Sequence, residues 1–170
     1  MAQNTDILDL GRIGLTSGEG RHLDLTVEMD DLKLGGQSYA ALDKVPVKLD
    51  VAKMPGGYSL RLRGAVELTG PCMRCLDPAG RRVEIDAREV DQSGGGEELE
   101  SPYIEGDDLD LRSWARDSVA LELPTQILCT DECRGICAVC GENLNTAGPD
   151  HHHEKSPDPR WNKLSELKFE

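Results

Sequence analysis

The chain has few aromatic residues and no long apolar segment. Its 170 residues include one Phe, two Trp and three Tyr, and hydrophobic residues make up 38% of the total. No run approaches the roughly 18 consecutive apolar residues that a membrane span needs. The opening residues, MAQNTDILDLGRIG, also lack the basic start, apolar core and cleavage site of a secretion signal. We therefore expect a cytoplasmic protein with a lean hydrophobic core and no membrane partner.

Basic residues are outnumbered by acidic ones. The sequence has 19 Lys and Arg residues against 32 Asp and Glu residues, a formal net charge of −13 and a pI of about 4.7. Affinity for nucleic acid normally depends on Lys and Arg side chains that neutralise phosphates, so most of this surface is expected to repel naked RNA or DNA. A basic protein partner suits this charge better, and a local RNA contact stays open through Arg61, Arg63, Arg74, Arg81 and Arg82.

Cysteine is the residue type whose arrangement is most informative. All six cysteines fall in two clusters, a C-x-x-C pair and a later C-x3-C-x3-C-x2-C run, which together comprise Cys72, Cys75, Cys129, Cys133, Cys137 and Cys140. The last pair is followed by Gly141, and C-x-x-C-G is typical of a zinc knuckle, in which two thiolates bind one ion. Three disulfides are the alternative, but a reducing cytosol favours metal binding.

Alternation of apolar and polar residues predicts antiparallel strands in the first half of the chain. The segments with period two are residues 22–29, 45–51, 58–69 and 83–90. A change of phase at Gly64 predicts a β-bulge in the third strand. Residues 1–20 are polar and rich in glycine, and are expected to form a flexible arm. The acidic stretch 91–110 is expected to be a solvated loop.

Helical spacing begins after residue 110. Asp110 is a candidate N-cap for a helix over 111–123, and Asp158 with Pro159 predicts a short helix over 159–168. The predicted fold class is α+β, a small antiparallel β-rich body with these two helices and a zinc-knuckle region. The predicted divisions are an arm (1–20), a β-rich zinc-binding domain (21–148) and a tail with a His tract (149–170).

Four motifs in one order resemble the YceD family, the large ribosomal RNA subunit accumulation proteins. They are PCMRCLDP, DLDLRSWARDSVALELP, LCTDECRGICAVCGENLN and DPRWNKLSEL, which run from about residue 57 to residue 167. The resemblance implies a small β-rich α+β fold with zinc-type cysteine motifs. It also implies a role in accumulation of the large-subunit rRNA, with no catalytic activity, and a pre-large-subunit ribosomal particle as partner.

One departure from the family pattern adds candidate ligands. Where many relatives carry C-x-C, this chain has a His tract in which His151 and His153 keep the same offset. Imidazole nitrogen can replace thiolate on zinc, although a solvated His tract is the alternative. We predict two Zn²⁺ ions, one on Cys72, Cys75, Cys129 and Cys133 and one on Cys137, Cys140, His151 and His153. The competing prediction is a single ion on Cys72, Cys75, Cys137 and Cys140.

No catalytic motif fits the sequence. The deaminase order of H-x-E followed by P-C-x-x-C is inverted here, the H-E-x-x-H zinc motif is absent, and so is a phosphate-binding P-loop. The prediction is a non-enzymatic protein with no small-molecule substrate. The alternative function is a redox switch, in which oxidation of the thiolates would release zinc.

Overall fold

A computed structural model describes residues 3–4, 6–41 and 44–153. Ten strands and one α-helix follow each other along this part of the chain. They are β1 (Gln3–Asn4), β2 (Ile7–Asp9), β3 (Gly20–Glu28), β4 (Leu32–Leu34), β5 (Gln37–Tyr39), β6 (Lys44–Met54), β7 (Gly57–Pro71), β8 (Pro78–Gln92), β9 (Ile104–Glu105), β10 (Asp108–Asp110) and α1 (Leu111–Glu122). Strands dominate, so the predicted α+β class is right only in outline.

The body is a five-stranded sheet with the order β1-β3-β6-β7-β8. Neighbouring strands in it are antiparallel, except that β1 runs parallel to β3. The strands predicted at 22–29, 45–51, 58–69 and 83–90 are confirmed as β3, β6, β7 and β8. β7 and β8 form a long hairpin whose register continues from Gly57↔Gln92 to Pro71↔Pro78. Its loop, residues 72–77, therefore projects from one end of the sheet.

The bulge predicted at Gly64 is wrong. β7 pairs with β8 without interruption through Gly64↔Ile85, and Gly64 falls on the same side of the strand as Leu62 and Val66. A Cβ at position 64 would lie 3.2 Å from both Pro46 O and Val47 Cγ1. The alternation is therefore continuous, and glycine occupies one inward position because the neighbouring strand β6 leaves little room there.

Part of the N-terminal segment packs on the body, which corrects the expectation that residues 1–20 form an arm apart from the core. β2 pairs with β10, and β10 pairs with β9, so a second sheet joins the N-terminal segment to the acidic stretch. Leu10 and Leu109 both lie in the hydrophobic core. The stretch 91–110 is therefore not a solvated loop throughout. β4 and β5 form a separate hairpin around Gly35.

The helix predicted over 111–123 is confirmed as α1. The carboxylate of Asp110 caps it by accepting a hydrogen bond from Ser113 N at 2.9 Å. Trp114, Ala115 and Val119 are buried on the face of α1 that packs mainly on β8. Leu121 on α1 is 85% exposed. The chain after α1 then returns to the loop of the β7–β8 hairpin.

The helix predicted over 159–168 lies outside the described residues. Within the described residues, no helix has the length and apolar character needed to cross a membrane.

Candidate metal centres

The first cysteine group joins the loop of the β7–β8 hairpin to the chain that follows α1. Cys72 and Cys75 lie in the hairpin loop, and Cys129 and Cys133 lie in the later segment. Cys72 Sγ is 3.7 Å from Cys133 Sγ, and Cys75 Sγ is 3.5 Å from Cys129 Sγ. All four sulfurs lie within 4.8 Å of one another, and three of the four residues are buried. The group therefore brings together two parts of the chain that are far apart in sequence.

The second group lies near the end of the described chain and is more exposed. It brings the C-x-x-C pair Cys137 and Cys140 together with His151 and His153, with all four ligand atoms within 4.8 Å. Cys140 Sγ is 3.3 Å from His153 Nε2 and 3.7 Å from His151 Nε2. Cys140 and His153 are both exposed to solvent. Solvent therefore reaches this group far more easily than the first.

Both groups have the dimensions of a four-coordinate metal site. Zn–S bonds of about 2.3 Å and Zn–N bonds of about 2.0–2.1 Å in a tetrahedron place neighbouring ligand atoms roughly 3.4–3.8 Å apart. The Sγ–Sγ and Sγ–Nε2 distances within the two groups, 3.3–3.7 Å, lie close to this range. All six cysteines are free thiols in the structure, so no disulfide competes with metal binding here. Each group can hold a metal ion. The ligand atoms are grouped as the two-ion prediction expects and not as the one-ion alternative expects.

The two C-x-x-C turns share one backbone arrangement. Leu76 N donates to Cys72 O at 3.0 Å in the first turn, and Gly141 N donates to Cys137 O at 2.8 Å in the second. The residue after the second cysteine is left-handed in both, with φ of 66° at Leu76 and 77° at Gly141. Glycine adopts this conformation freely, whereas a residue with a Cβ is strained by about 1–2 kcal/mol. The first turn is therefore a zinc knuckle in geometry, although its sequence lacks the glycine.

Hydrogen-bond donors surround the sulfurs of the first group. Arg74 N approaches Cys72 Sγ at 3.4 Å, and Asn145 Nδ2 approaches Cys133 Sγ at 3.4 Å. Asn145 is itself fixed, because its Oδ1 accepts a hydrogen bond from Arg134 N at 2.8 Å. The Arg74 side chain donates to Cys133 O at 3.1 Å. Such donors stabilise negative charge on sulfur and hold the ligands in place before a metal binds.

A carboxylate orients one histidine of the second group. Glu142 Oε2 lies 2.8 Å from His151 Nδ1, while His151 Nε2 faces Cys140. A carboxylate on one ring nitrogen and the metal position at the other is the usual arrangement for a metal-binding histidine. His152 differs, since its Nδ1 contacts Asp150 O at 2.7 Å. The geometry therefore gathers His151 and His153 and leaves out the histidine between them.

Each group contains a thiol that ionises easily. Burial opposes ionisation of Cys72, but hydrogen bonds from backbone N–H groups, including that of Cys75, outweigh burial and lower its pKa to about 6. A hydrogen bond from His151 is the main reason that the pKa of Cys137 falls to about 6. The Asn145 side chain likewise lowers the pKa of Cys133. Because thiolate is the form that binds metal, these hydrogen bonds favour the metal-binding form of Cys72, Cys133 and Cys137, whereas burial raises the pKa of Cys75.

Three of the arginines considered for a local RNA contact are paired with carboxylates on the outer face of the large sheet. The pairs are Arg61 with Asp86 at 2.7 Å, Arg63 with Asp50 at 2.7 Å and Arg82 with Glu67 at 3.1 Å. Surface pairs of this kind are weak, but each carboxylate cancels the field that would attract a phosphate. These three arginines are therefore not unpaired cations on the sheet.

Sequence reasoning named all eight candidate ligands but missed the residues that support them. Glu142 directly follows the second knuckle and lies a short distance before the His tract in the sequence. That closeness could have suggested that it supports a histidine ligand. Asn145 and Arg74 give no such local signal, because each reaches a cysteine that is distant in sequence. The left-handed conformation of Leu76 was equally hidden, since leucine is not a residue expected there.

Comparison with known proteins places these groups inside a family match. The family model described as "Large ribosomal RNA subunit accumulation protein YceD" matches residues 60–168. An uncharacterized protein of Mycobacterium tuberculosis is 31% identical over 170 residues, covering 94% of this chain and 80% of the relative. A maize protein, "Large ribosomal RNA subunit accumulation protein YCED homolog 1, chloroplastic", is 29% identical over 177 residues, covering 81% of this chain and 59% of the relative. No solved structure matches the chain.

Proposed function

Because the chain belongs to the YceD family of large ribosomal RNA subunit accumulation proteins, we propose that it is a non-catalytic accessory factor for assembly of the large ribosomal subunit. It supports accumulation of 23S rRNA in the cytoplasm by binding immature large-subunit particles. The observation that carries this proposal is the family match over residues 60–168, a range that includes every ligand candidate of both metal groups. The name of the maize relative refers to the same process.

Zinc is the ion that suits both groups. Thiolate and imidazole ligands in a tetrahedral arrangement are typical of Zn²⁺, and hard cations such as Mg²⁺ or Ca²⁺ prefer oxygen. Each group supplies four protein ligands, which fills a tetrahedral site and leaves no position for a reacting water. Such closed sites stabilise structure, and this favours a binding role over an enzymatic one. The first ion would fix the hairpin loop to the segment after α1, and the second would fix the chain around His151.

Two zinc ions per chain are expected in the purified protein without any affinity tag. Replacing both His151 and His153 by alanine should lower the content to one, because the second group would keep only two thiolate ligands. Inductively coupled plasma mass spectrometry measures this ratio directly. His152→Ala is the matched control and should retain both ions, since His152 lies outside the group. Retention of two ions in the double variant would exclude the histidines as ligands.

Deletion of the gene is expected to lower the amount of large-subunit rRNA relative to small-subunit rRNA. In sucrose gradients, the wild-type protein should sediment with immature large-subunit particles. Expression of the wild-type chain should restore the rRNA ratio, whereas a Cys72→Ser chain should not, because it lacks a ligand of the first site. A normal rRNA ratio in a clean deletion strain would reject the proposed function.

A further inference from the structure

Leu76 combines two unfavourable features at the tip of the β7–β8 hairpin. Its backbone is left-handed, with a φ of 66°, at the position where the equivalent turn has Gly141. Its side chain is 58% exposed, although leucine is more stable when buried. A glycine would remove both costs while keeping the turn. A strained and exposed apolar residue of this kind indicates a function for its side chain outside the folding of the isolated chain.

Two more exposed aliphatic residues lie on the neighbouring turn. Ile136 is 42% exposed and Val139 is 67% exposed. The two turns touch, because Asn143 Nδ2 donates to Asp77 Oδ2 at 2.5 Å and Ile136 pairs with Asn143 in a β-bridge. Of the seven large hydrophobic residues that are exposed among the described residues, three belong to these two turns. We call Leu76, Ile136 and Val139 the knuckle surface.

Exposed carboxylates lie on the same segments of the chain as the knuckle surface. They are those of Asp77 after the first turn, Asp131 and Glu132 before the second turn and Glu142 after it. The two arginines on these segments, Arg74 and Arg134, hydrogen-bond to backbone carbonyls of Cys133 and Asn145, and the four carboxylates outnumber them. Four thiolates around Zn²⁺ in the first group would add further negative charge. These segments therefore combine three exposed aliphatic side chains with an excess of negative charge.

We propose that the knuckle surface binds a basic segment of another protein in which apolar side chains alternate with Lys or Arg. Its apolar residues cover Leu76, Ile136 and Val139, and its cations lie against the carboxylates around them. The negative charge around the surface opposes RNA at the same place. The inference rests on the proposed function only for the location of that partner, which would be a basic protein of the immature large-subunit particle.

A direct test measures binding of the zinc-loaded full chain to a short synthetic peptide of alternating Lys and Leu. Fluorescence anisotropy should show binding that weakens as salt is added, because the charged contacts are exposed to solvent. A peptide with Glu in place of Lys and a peptide with Ser in place of Leu should both bind at least about ten-fold more weakly. The first lacks the cations that contact the carboxylates, and the second lacks the apolar side chains that cover the aliphatic residues. Equal binding of either control peptide would overturn the proposal.

Leu76→Gly is the informative variant because it deletes the side chain while suiting the left-handed backbone. It should keep both zinc ions and an unfolding midpoint at or near that of the wild type, yet bind the Lys–Leu peptide at least about ten-fold more weakly. Leu121→Ala removes another exposed leucine, on α1, and should bind the peptide like the wild type. Unchanged binding by the folded Leu76→Gly variant would reject the role of this residue.

The same variants separate this inference from the proposed function. If the wild-type protein sediments with immature particles and Leu76→Gly no longer does, both are supported. If Leu76→Gly still sediments with them, the knuckle surface is not the contact and the proposed function stands. If the wild type does not sediment with particles, the proposed function fails, while peptide binding still decides the inference.

Other occupants of the surface have distinct signatures. Tighter binding of an RNA oligonucleotide than of the Lys–Leu peptide, lost in Leu76→Gly, would assign the surface to RNA. Dimers of the wild type that dissociate in Leu76→Gly would assign it to a second copy of this chain. A gain in peptide affinity on Trp161→Ala would assign it to the chain's own residues 154–170. Each of these results would overturn the proposal.

Discussion

Replacing Cys72 by serine is expected to remove the first metal ion and to lower the midpoint of thermal unfolding by about 10–20 °C. Structural zinc contributes about 10–16 kcal/mol to folding in small zinc-finger peptides. If the variant loses about 5 kcal/mol of this, the expected shift follows, because 1 kcal/mol corresponds to about 2–4 °C for a domain of this size. Differential scanning calorimetry and metal analysis of the same sample measure both effects.

The location of Cys72 explains why the loss should be large. The residue is fully buried, and its group ties the hairpin loop to a segment more than fifty residues later. Without the ion, no cation balances the negative charge of the remaining thiolates, and the two segments lose their crosslink. Removal of zinc from the wild type with a strong chelator should therefore reproduce the effect of Cys72→Ser.

Cys140→Ser is the matched control for Cys72→Ser. Cys140 is exposed and belongs to the second group, which holds only the chain near residue 151. This variant should lose the second ion but leave the cooperative unfolding of the β-rich body nearly unchanged. An equal loss of stability in the two variants would contradict the assignment of the first group as the main crosslink of the fold.

Gly57→Ala is the second substitution with a large expected effect, a loss of about 3 kcal/mol of stability. A Cβ at this position would lie 1.7 Å from Asp91 O and 2.7 Å from Asp91 C. Both atoms belong to the backbone of the paired strand, so no side-chain rotation relieves the overlap. The β7–β8 pairing must separate at Gly57↔Gln92 and Tyr58↔Asp91. Urea unfolding followed by circular dichroism measures the change in the free energy of unfolding.

Gly80→Ala tests whether the effect comes from this overlap or from losing any glycine of the hairpin. Gly80 lies in β8 opposite Thr69, and a Cβ there would meet Leu68 O at an ordinary 3.4 Å. Alanine also has the smaller entropy loss on folding, so this variant should be as stable as the wild type or slightly more stable. A loss in Gly80→Ala equal to that in Gly57→Ala would reject the steric explanation.

Local patterns in the sequence were sufficient for the elements whose cause is local. Alternating apolar residues predicted β3, β6, β7 and β8, because side chains point to opposite faces of a strand in turn. Asp110 followed by helical spacing predicted α1, because an N-cap and the helix that it starts are close together in the sequence. The C-x-x-C pairs identified the type of ligand, since thiolate chemistry depends on the residues themselves. The motifs in their order also identified the family, which the match over residues 60–168 confirms.

The errors arose where distant segments decide the structure. The N-terminal twenty residues are mostly polar and rich in glycine, yet β2 pairs with β10 and the adjacent Leu10 lies in the hydrophobic core. The apparent change of phase at Gly64 suggested a bulge, whereas β7 stays in register with β8 there and Pro46 and Val47 of β6 lie close to the glycine. The identity of the partner strand cannot be read from neighbouring residues in either case.

The sequence by itself identified the candidate ligands of the metal sites, their thiolate and imidazole chemistry and the strands around them. It favoured two ions but left open one ion shared by Cys72, Cys75, Cys137 and Cys140. Only the tertiary structure chose between these groupings, because the hairpin loop meets the segment after α1 at Cys129 and Cys133. Likewise, only the structure showed that Glu142 contacts His151 and that Leu76 has a strained backbone and an exposed side chain. The physical reason is that spacing along the chain fixes local geometry, whereas contacts between distant segments depend on how the whole sheet packs.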